Sequence, residues 1–290
     1  MINIVRVKGG LGNQMFIYAF GLSLKNRYPF YFTLFDITES QNSLNGFELT
    51  DVFCNIKPQS TFINKLHRKF FRWVTTKYQH KIIHESVSHF GKYSEVFYKL
   101  KFSLFNVYEG YWQSEKYFDK VQSELRRLYT FNFEKLSSET LDYLSSIKST
   151  NSVSVHIRRA DYLQHEDFYG GICTFEYYRN AIKYFMKNID NPIFYFFSDD
   201  IEWVVEQFEN LPIYKFVNIN HSNDNWQDMY LMSQCNHNII ANSTFSWWGA
   251  WLNSNPKKLV LAPRKWSNMY ENIDIYPPDW IKISFENKIE

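Results

Sequence analysis

The sequence HIRRADY at 156–162 directly follows an apolar, strand-like run at 152–155. Two adjacent arginines and a histidine at the end of a strand indicate an anion site, because ligands of open α/β sheets bind just outside the carboxyl ends of the strands. A guanidinium group binds phosphate through two parallel hydrogen bonds. The heptad therefore predicts a nucleotide or a sugar-nucleotide diphosphate as the ligand.

Within the heptad, the alternation of side chains along a strand places His156 and Arg158 on one face. Arg158 is then the candidate clamp for a phosphate, and His156 is a candidate donor to phosphate, ribose or base. Arg159 is expected on the opposite face, where a structural ion pair with Asp161 is its alternative role.

A glycine-rich turn, GGLGNQ at 9–14, lies between the first strand-like run and a helix-like segment. Glycines let a backbone approach a ligand closely, and a helix N-terminus favours an anion. The glycine spacing differs from that of the dinucleotide fingerprint, and a turn that is glycine-rich for steric reasons alone is the alternative. Asn13 and Gln14 add amide groups suited to a ligand rich in hydroxyl groups.

Small hydroxyl residues follow a later apolar strand, in NSTFSWWG at 242–249. Ser243 and Thr244 at the start of a helix either cradle a phosphate or simply cap the helix. Asp228 lies one helix earlier, where a carboxylate could accept hydrogen bonds from the amino edge of a guanine. The neighbouring tryptophans are most simply interpreted as core.

Two adjacent carboxylates, Asp199 and Asp200, end the apolar run at 194–197. Paired carboxylates can bind Mg²⁺, but aspartate is also a frequent helix N-cap. Since no two aspartates of the chain are separated by one residue, the D-x-D metal motif is absent. Capping or loop ordering is therefore the favoured interpretation of this pair.

The elements that must position these residues alternate regularly after residue 150. Strands are predicted at 153–157, 193–197, 214–218, 238–241 and 258–262, with helices near 175–188, 201–208, 226–235 and 245–253. This alternation predicts a parallel, Rossmann-like sheet. The first half begins with a strand at 2–7, a turn at 8–14 and a helix at 15–26, whereas 36–110 shows little pattern. The polar stretch at 148–152 predicts a boundary between domains 1–150 and 151–275, followed by a tail at 276–290 that packs back.

The composition is compatible with a large core, since 45% of the 290 residues are hydrophobic and 20% are aromatic. Most aromatic rings are expected in the core, and some of the excess suits sugar binding. The three cysteines have no metal-like spacing and indicate reduced thiols in a cytoplasmic setting. A signal peptide and an apolar run long enough to span a membrane are both absent.

Charge is distributed unevenly, with a balance of +7 in residues 1–150 and −5 in the remainder. Seven basic residues and no acidic residue lie between Asp51 and Glu85, and apolar residues at 62–74 recur at near-helical spacing. A basic amphipathic helix is typical of a membrane surface, so 62–81 is a candidate for peripheral association with the anionic inner face of the plasma membrane. A surface helix with a solvated basic face is the alternative, and it is slightly favoured.

Five segments together resemble the α-1,2-fucosyltransferases of glycosyltransferase family 11, in the family's order. They are GGLGNQMF at 9–16, GYWQSEKYF at 110–118, HIRRADY at 156–162, FSDD at 197–200 and IANSTFSWW at 240–248. The resemblance implies an α/β fold of GT-B type, with two Rossmann-like domains facing across a cleft, the first on the acceptor side and the second binding GDP-fucose. One departure is Ala160, where the family usually has glycine.

The resemblance also implies a reaction: inverting transfer of L-fucose from GDP-β-L-fucose to the 2-hydroxyl of a terminal galactose or similar sugar. No metal or other cofactor and no nucleic acid is expected. Free oligosaccharide, a lipid-linked repeat and a surface glycan such as O-antigen are all compatible acceptors. The alternatives are fucose transfer in another linkage, α-1,6 or to protein, and a non-catalytic GDP-sugar-binding protein.

Roles for single residues follow from the same resemblance. Arg158 is implied as the clamp on the β-phosphate, with Arg159 and Asp199 as structural support. The general base is assigned to Asp161 or Glu166, with neighbouring His165 and Asp167 as further candidates. The residues implied to bind GDP-fucose are Gly10, Gly12, Asn13, His156, Arg158, Asp228, Ser243, Thr244 and Phe245.

Overall fold

The structure is a computed structural model that describes residues 1–38, 45–57, 62–63, 69, 80–85, 90–99, 104–159, 162–208, 213–271 and 273–283. The chain divides into two compact units. The first comprises Met1–Asn132 and Asn272–Ile275, and the second comprises Phe133–Glu271 and Tyr276–Glu290.

The first unit contains a parallel sheet in the order β3-β2-β1-β5-β4. Its strands are β1 (Ile2–Arg6), β2 (Phe32–Asp36), β3 (Phe62–Ile63), β4 (His80–His84) and β5 (Phe105–Glu109). The helices described in this unit are α1 (Leu11–Arg27), α2 (Leu49–Val52) and α3 (Gln122–Leu128).

Helix α1 begins four residues earlier than the predicted start at Met15. Gly10 takes the extended N-cap conformation, and the Gln14 N–H donates to the Gly10 carbonyl at 3.0 Å, so the predicted turn already contains the first helical turn. Apart from Asn13, every residue from Leu11 to Leu24 is buried. A helix that is apolar all round is typical of one enclosed in a core.

Helix α1 approaches β2 most closely at Gly21. A Cβ atom there would lie 2.8 Å from Cζ of Phe35, a ring held in place by stacking on Tyr18 with centroids 4.7 Å apart. We expect Gly21→Ala to lower the free energy of unfolding by about 1–3 kcal/mol, because overpacking outweighs the gain in helix propensity.

Urea unfolding measures this change, and Gly249→Ala is the matched control. At Gly249 the nearest atom to the Cβ would be the flexible end of Met232, at 2.9 Å from Cε, and the next would be Cβ of Met232 at 3.2 Å, so only a small shift is required there. A Gly21→Ala protein as stable as wild type would contradict the close approach.

The second unit contains a parallel sheet in the order β11-β10-β9-β6-β7-β8, with all described pairs parallel. Its strands are β6 (Asn151–Ile157), β7 (Pro192–Ser198), β8 (Tyr214–Val217), β9 (His237–Ile239), β10 (Val260–Pro263) and β11 (Ile281–Ile283). The helices described are α4 (Ser138–Lys148), α5 (Glu166–Tyr169), α6 (Phe175–Asn188), α7 (Ile201–Phe208), α8 (Trp226–Gln234) and α9 (Thr244–Leu252).

This sheet has the doubly wound order of a Rossmann fold, in which the chain moves outward in one direction from β6 and in the other from β9. Its central strands are buried on both faces, as the continuous apolar run of β7 requires, and Phe194 to Phe197 are fully buried. The predicted alternation of strands and helices after residue 150 is confirmed. Part of the expected tail forms the edge strand β11, paired with β10.

The division between the units falls after Asn132, whereas the sequence predicts a boundary at residue 150. The difference arises because α4 is attached to the second unit. The Tyr143 hydroxyl donates to the Phe216 carbonyl at 2.9 Å, and the Ser137 N–H donates to Oε1 of Gln227 at 2.9 Å. The polar stretch at 148–152 is thus a turn between α4 and β6 within one unit.

The predicted basic helix at 62–81 falls largely outside the described residues. Its first two residues form β3 and its last two lie in β4; apart from Lys69, residues 64–79 are not described. Membrane association through this segment stays a prediction. None of the helices that the structure describes is long and apolar enough to cross a bilayer.

Candidate active site

The site lies at the point where the second sheet reverses direction. Strands β6 and β9 are neighbours, with Val155 paired to Ile239, yet β6 is followed by β7 on one side and β9 by β10 on the other. Arg158 and Arg159 follow the carboxyl end of β6, and the segment NSTF at 242–245 follows that of β9. Ligands of open α/β sheets bind at such switch points, so the topology brings together two segments that the sequence separates.

A first pocket of about 530 Å³ opens at this edge. Its volume falls within the range of about 300–1,000 Å³ that is usual for small-molecule sites. Five predicted site residues line it: His156, Arg158, Asp228 and Phe245, predicted to bind the donor, and Asp199, predicted as structural. The other lining residues lie at the end of β7 or after β7 and β8, and are Ser198, Asp200, Ile201, Glu202, Asn218, Asn220, His221, Ser222 and Asn225.

His156 lies near the end of β6 with its ring almost fully buried. Nδ1 lies 2.9 Å from Oγ of Ser246, and the ring centroid lies 5.6 Å from that of Phe245. Burial, and secondly the charge of Arg158, lowers the pKa of His156 to about 3. Either atom can donate in this contact, depending on the tautomer. If the serine hydroxyl donates to Nδ1, the proton of the neutral ring lies on Nε2, which is then a hydrogen-bond donor for a ligand.

The two arginines contact the two aspartates that end β7. Nε of Arg158 lies 3.1 Å from Oδ2 of Asp199, and Nε of Arg159 donates to Oδ2 of Asp200 at 2.9 Å. The Arg159 guanidinium also lies 4.4 Å from the ring centroid of Trp203. Arg158 lines the first pocket and Arg159 does not.

Asp199 and Asp200 have a structural role, since their carboxylates accept hydrogen bonds from backbone N–H groups as well as from the arginines. Oδ1 of Asp199 accepts from the Arg159 N–H at 2.9 Å, which fixes the turn after β6. Oδ1 of Asp200 accepts from the Trp203 N–H at 3.4 Å, in the first turn of α7. Within the described part of the chain, no group of three or more His, Cys, Asp or Glu side chains could hold a metal ion. Asp161, the other expected partner of Arg159, lies outside the described residues.

Asp228 lies in the first turn of α8 and faces the first pocket. Its Oδ1 accepts from Nδ2 of Asn220 at 2.6 Å. Burial raises the pKa of Asp228 to about 7 although this hydrogen bond opposes the shift. A carboxyl group with a strongly raised pKa in a pocket is a candidate for a functional role.

At the N-terminus of α9, Ser243 is the N-cap residue, but its side chain forms no capping hydrogen bond. The Ser243 hydroxyl therefore does not cap α9, in contrast to the alternative interpretation of the sequence. Phe245 reaches the first pocket, whereas Ser243 and Thr244 are not among its described lining residues. The helix N-terminus nevertheless provides N–H groups at the carboxyl end of β9.

The predicted residues of the glycine turn lie in the first unit, after β1. Gly9 has φ +76°, a conformation that favours glycine. A Cβ at Gly10 would meet nothing within 4 Å, so the backbone there is open to approach. Gly12 is buried in the first turn of α1.

Asn13, from this turn, is joined to the carboxyl end of the neighbouring strand β5. Its Oδ1 accepts from Nε2 of Gln113 at 2.9 Å. The turn that carries Gln113 is ordered by Glu85, whose Oε2 accepts from the Tyr111 and Trp112 N–H groups at 2.6 and 3.1 Å. Asn13 and Gln113 thus form an amide pair at the switch point of the first sheet.

Of the base candidates, Glu166 begins α5 and is exposed to solvent. It lines a second pocket of about 550 Å³, together with Arg158 and Asp167. Neighbouring His165 is exposed and Asp161 is not described. The structure therefore brings Glu166 and Arg158 to one pocket.

Sequence reasoning missed the polar loop between β8 and α8. Asn218, Asn220, His221 and Asn225 from this loop line the first pocket opposite the heptad. The signal was present, since four asparagines occur between 218 and 225. Asparagine is so common in turns that this pattern alone does not indicate a ligand.

Comparison with known proteins gives three findings. The model of glycosyl transferase family 11 matches residues 1–284. An α-1,2-colitosyltransferase of Escherichia coli is 35% identical over 97% of this chain and 99% of its own. Human galactoside α-(1,2)-fucosyltransferase 1 is 25% identical over 60% of this chain and 52% of its own.

The crystal structure of the fucosyltransferase NodZ from Bradyrhizobium has a similar fold. The TM-score is 0.52 at 13% identity, covering 91% of this chain and 96% of that one. The expectation of an α/β fold of GT-B type, with two Rossmann-like domains, is confirmed by this likeness and by the two parallel sheets.

Proposed function

The chain belongs to glycosyltransferase family 11, and on that premise we propose that it transfers L-fucose from GDP-β-L-fucose to the 2-hydroxyl of a terminal galactose, with inversion. The family supports glycosyl transfer from a GDP-sugar. The donor sugar, the acceptor and the linkage are the proposal.

One observation carries this function: the first pocket joins a guanidinium to a partly buried carboxylate at the switch point of the sheet. The ring N–H and amino group of guanine donate to one acceptor such as the Asp228 carboxylate. Arg158 provides the charge that a diphosphate requires. His156 supplies a neutral donor between them, and the hydroxyl of Ser243, which forms no capping bond, together with Thr244 suits the phosphates near α9.

The reaction follows from these positions. The acceptor oxygen attacks the anomeric carbon of the sugar, the bond from that carbon to the β-phosphate oxygen breaks, and GDP leaves with both electrons. Negative charge on the leaving diphosphate grows in the transition state, so Arg158 and the N-terminus of α9 stabilise it more than the ground state. The acceptor hydroxyl loses its proton to a general base.

For that base we retain the two carboxylates of the prediction, Asp161 and Glu166. Glu166 is supported because it lines the same pocket as Arg158, next to the residue that is proposed to hold the phosphate bearing the sugar. Arg159 and Asp199 act by holding the turn that presents Arg158. Donor binding by Gly10, Gly12 and Asn13 stays a prediction.

A second candidate donor carries colitose, because the E. coli relative that matches 97% of this chain is a colitosyltransferase. With either donor, the transferred group is a 6-deoxy sugar and the bond formed is an α-1,2 linkage. The first pocket serves GDP in either case, so the choice depends on the sugar alone.

The test is to assay the purified chain with GDP-fucose and with the GDP derivative of colitose, each with a panel of β-galactosides. GDP release that requires acceptor supports catalysis, and its absence with both donors would leave only a GDP-sugar-binding protein. NMR of the product decides the linkage, and an α-1,6 product would overturn the α-1,2 proposal.

We expect transfer to continue at an unchanged rate in excess EDTA. In the proposed mechanism Arg158 and the N-terminus of α9 stabilise the negative charge of the leaving diphosphate, so no divalent cation is needed to stabilise it. The measurement is the initial rate of GDP release with and without chelator, with added Mg²⁺ as the control. A strict dependence on Mg²⁺ would contradict this assignment.

A further inference from the structure

An exposed apolar surface lies at the amino edge of the first sheet, where its strands begin. Four of its side chains are exposed: Phe30 by 93%, Phe32 by 73%, Leu104 by 56% and Met1 by 42%. They lie on three adjacent segments, because the Phe32 N–H donates to the Met1 carbonyl at 3.3 Å and the Ile2 N–H donates to the Leu104 carbonyl at 3.0 Å. Single exposed apolar residues are ordinary, but a group of them marks an interaction site. We call these four residues the amino-edge patch.

Phe30 lies in the short turn between α1 and β2, which is held together without its ring. The Tyr31 N–H donates to the Tyr28 carbonyl at 3.0 Å, and the two tyrosine rings stack with centroids 5.6 Å apart. The Tyr28 hydroxyl donates to the Tyr98 carbonyl. Because other groups fix the turn, the exposed Phe30 ring is available to a partner.

The chain that forms this sheet separates its acidic residues from the patch. The stretches 1–35, 52–84 and 96–108 contain no Asp or Glu, but contain four, seven and two Lys or Arg residues respectively. They supply all five strands except the last residues of β2 and β5. Each stretch ends at an acidic residue, Asp36, Glu85 or Glu109, that ends or follows a strand. Since the described strand pairs are all parallel, these three carboxylates lie at the carboxyl edge.

Cations are found near the patch instead. Lys25, in the last turn of α1, is exposed, as are Lys81, the second residue of β4, and Lys99, which directly follows Tyr98. The ion pairs described in this unit include none of these three lysines. Arg27 is neutralised by Glu95, with Nη2 at 2.9 Å from Oε2. The patch is thus apolar at its centre and basic at its rim.

We propose that the amino-edge patch binds the surface of an anionic phospholipid bilayer. Apolar side chains enter the boundary between headgroups and acyl chains, while the lysines meet the lipid phosphates. A second copy of the chain fits less well, since a symmetric contact would place like charges together. The proposal uses described residues only, whereas membrane association of 64–79 stays a separate prediction.

Binding in this orientation leaves the opposite edge of the sheet open. The glycine turn and the Asn13–Gln113 pair lie at the carboxyl ends of β1 and β5. A five-residue strand such as β1 rises about 3.3 Å per residue, so that edge stands about 15–20 Å from the amino edge. A bilayer on the patch therefore does not cover the glycine turn.

The experiment measures sedimentation of the full chain with two kinds of vesicle: phosphatidylcholine alone, and phosphatidylcholine mixed equally with phosphatidylglycerol. The test variant is Phe30→Ser with Phe32→Thr, which keeps a β-branched residue in the strand. Its matched control is Leu141→Ser with Met186→Ser, two exposed apolar residues on α4 and α6 of the second unit. Tm values report whether both proteins are folded.

We expect wild type to bind the anionic vesicles and to be released in about 1 M NaCl, where charges are screened beyond about 3 Å. The test variant should bind about 10-fold or more weakly, since burial of one phenylalanine side chain is already equivalent to about that factor. The control variant should bind like wild type.

Three results would overturn the proposal. They are no sedimentation of wild type with anionic vesicles, equal binding by the test variant and wild type, and a wild-type dimer that the test variant abolishes while vesicles bind neither protein. No GDP-sugar takes part in this measurement, so its failure would leave the proposed function untouched.

Discussion

Replacement of Arg158 by alanine is expected to lower kcat/KM for transfer by about 10²–10³-fold, equivalent to about 3–4 kcal/mol of transition-state stabilisation. The guanidinium lines both pockets, and its removal takes away the proposed clamp on the departing diphosphate. The fold should persist. Arg158 is partly exposed, such an ion pair contributes only about 0–1 kcal/mol, and Asp199 keeps its bond from the Arg159 N–H.

Two further variants separate charge from geometry at this position. Arg158→Lys keeps the positive charge but loses the planar fork, so its activity should lie between those of wild type and Arg158→Ala. Arg179→Ala is the control, because Arg179 forms an exposed ion pair with Glu176 on α6 and lines neither described pocket. Turnover of Arg158→Ala close to that of wild type, with Tm preserved in all three, would refute the clamp.

Replacement of Asp228 by asparagine is expected to change binding and stability in opposite directions. At pH 8 the ionised carboxylate is the proposed acceptor for guanine, so Asp228→Asn should weaken GDP binding about 10- to 100-fold, the usual range for a hydrogen bond to a charged group. The same variant should raise the free energy of unfolding of the ligand-free protein at pH 8 by about 2–4 kcal/mol, because it no longer buries a charge.

The pH dependence has a definite sign. Folding raises the pKa of Asp228 from 3.8 to about 7, so between these values the folded state holds the proton more tightly than the unfolded state. The contribution of Asp228 to the free energy of unfolding is therefore fully present at low pH, where the carboxyl is protonated, and is lost as the pH rises towards 7. Asp228→Asn should match wild type in stability near pH 4 and exceed it at pH 8.

Asp224→Asn is the control for this pair of measurements, since Asp224 is exposed and precedes α8 by two residues. Calorimetry with GDP and urea unfolding at both pH values provide the data. If Asp228→Asn and the wild type bound GDP with equal affinity at pH 8, this carboxylate would not be the group that recognises guanine.

Five of the six strands of the second sheet were predictable because short apolar or alternating runs are separated by helical patterns, whereas β11 lies in the predicted tail and was not predicted. The runs that became β6 and β7 are buried on both faces, so their sequences carry a strong signal. In the first unit, β4 is an edge strand with Ile82 partly exposed, and its sequence HKIIH is half polar. Edge strands carry a weaker pattern, which is why β4 was not predicted.

The candidate site was predictable where residue type alone limits the chemistry, as for Arg158 and Asp228. It was not predictable where position depends on tertiary contacts. The pairing of Arg159 with Asp200 joins residues 41 positions apart. The Asn13–Gln113 pair joins residues 100 positions apart, and neither has a local pattern.

The environment of the first pocket inverts the usual order of titration. In most proteins a histidine titrates near neutrality and an aspartate near pH 4. Here the pKa of His156 is about 3 and that of Asp228 is about 7. An inflection near neutrality in the pH–rate profile would thus report guanine recognition and not proton transfer by imidazole. It should appear in kcat/KM for the donor and vanish from kcat once the donor is saturating.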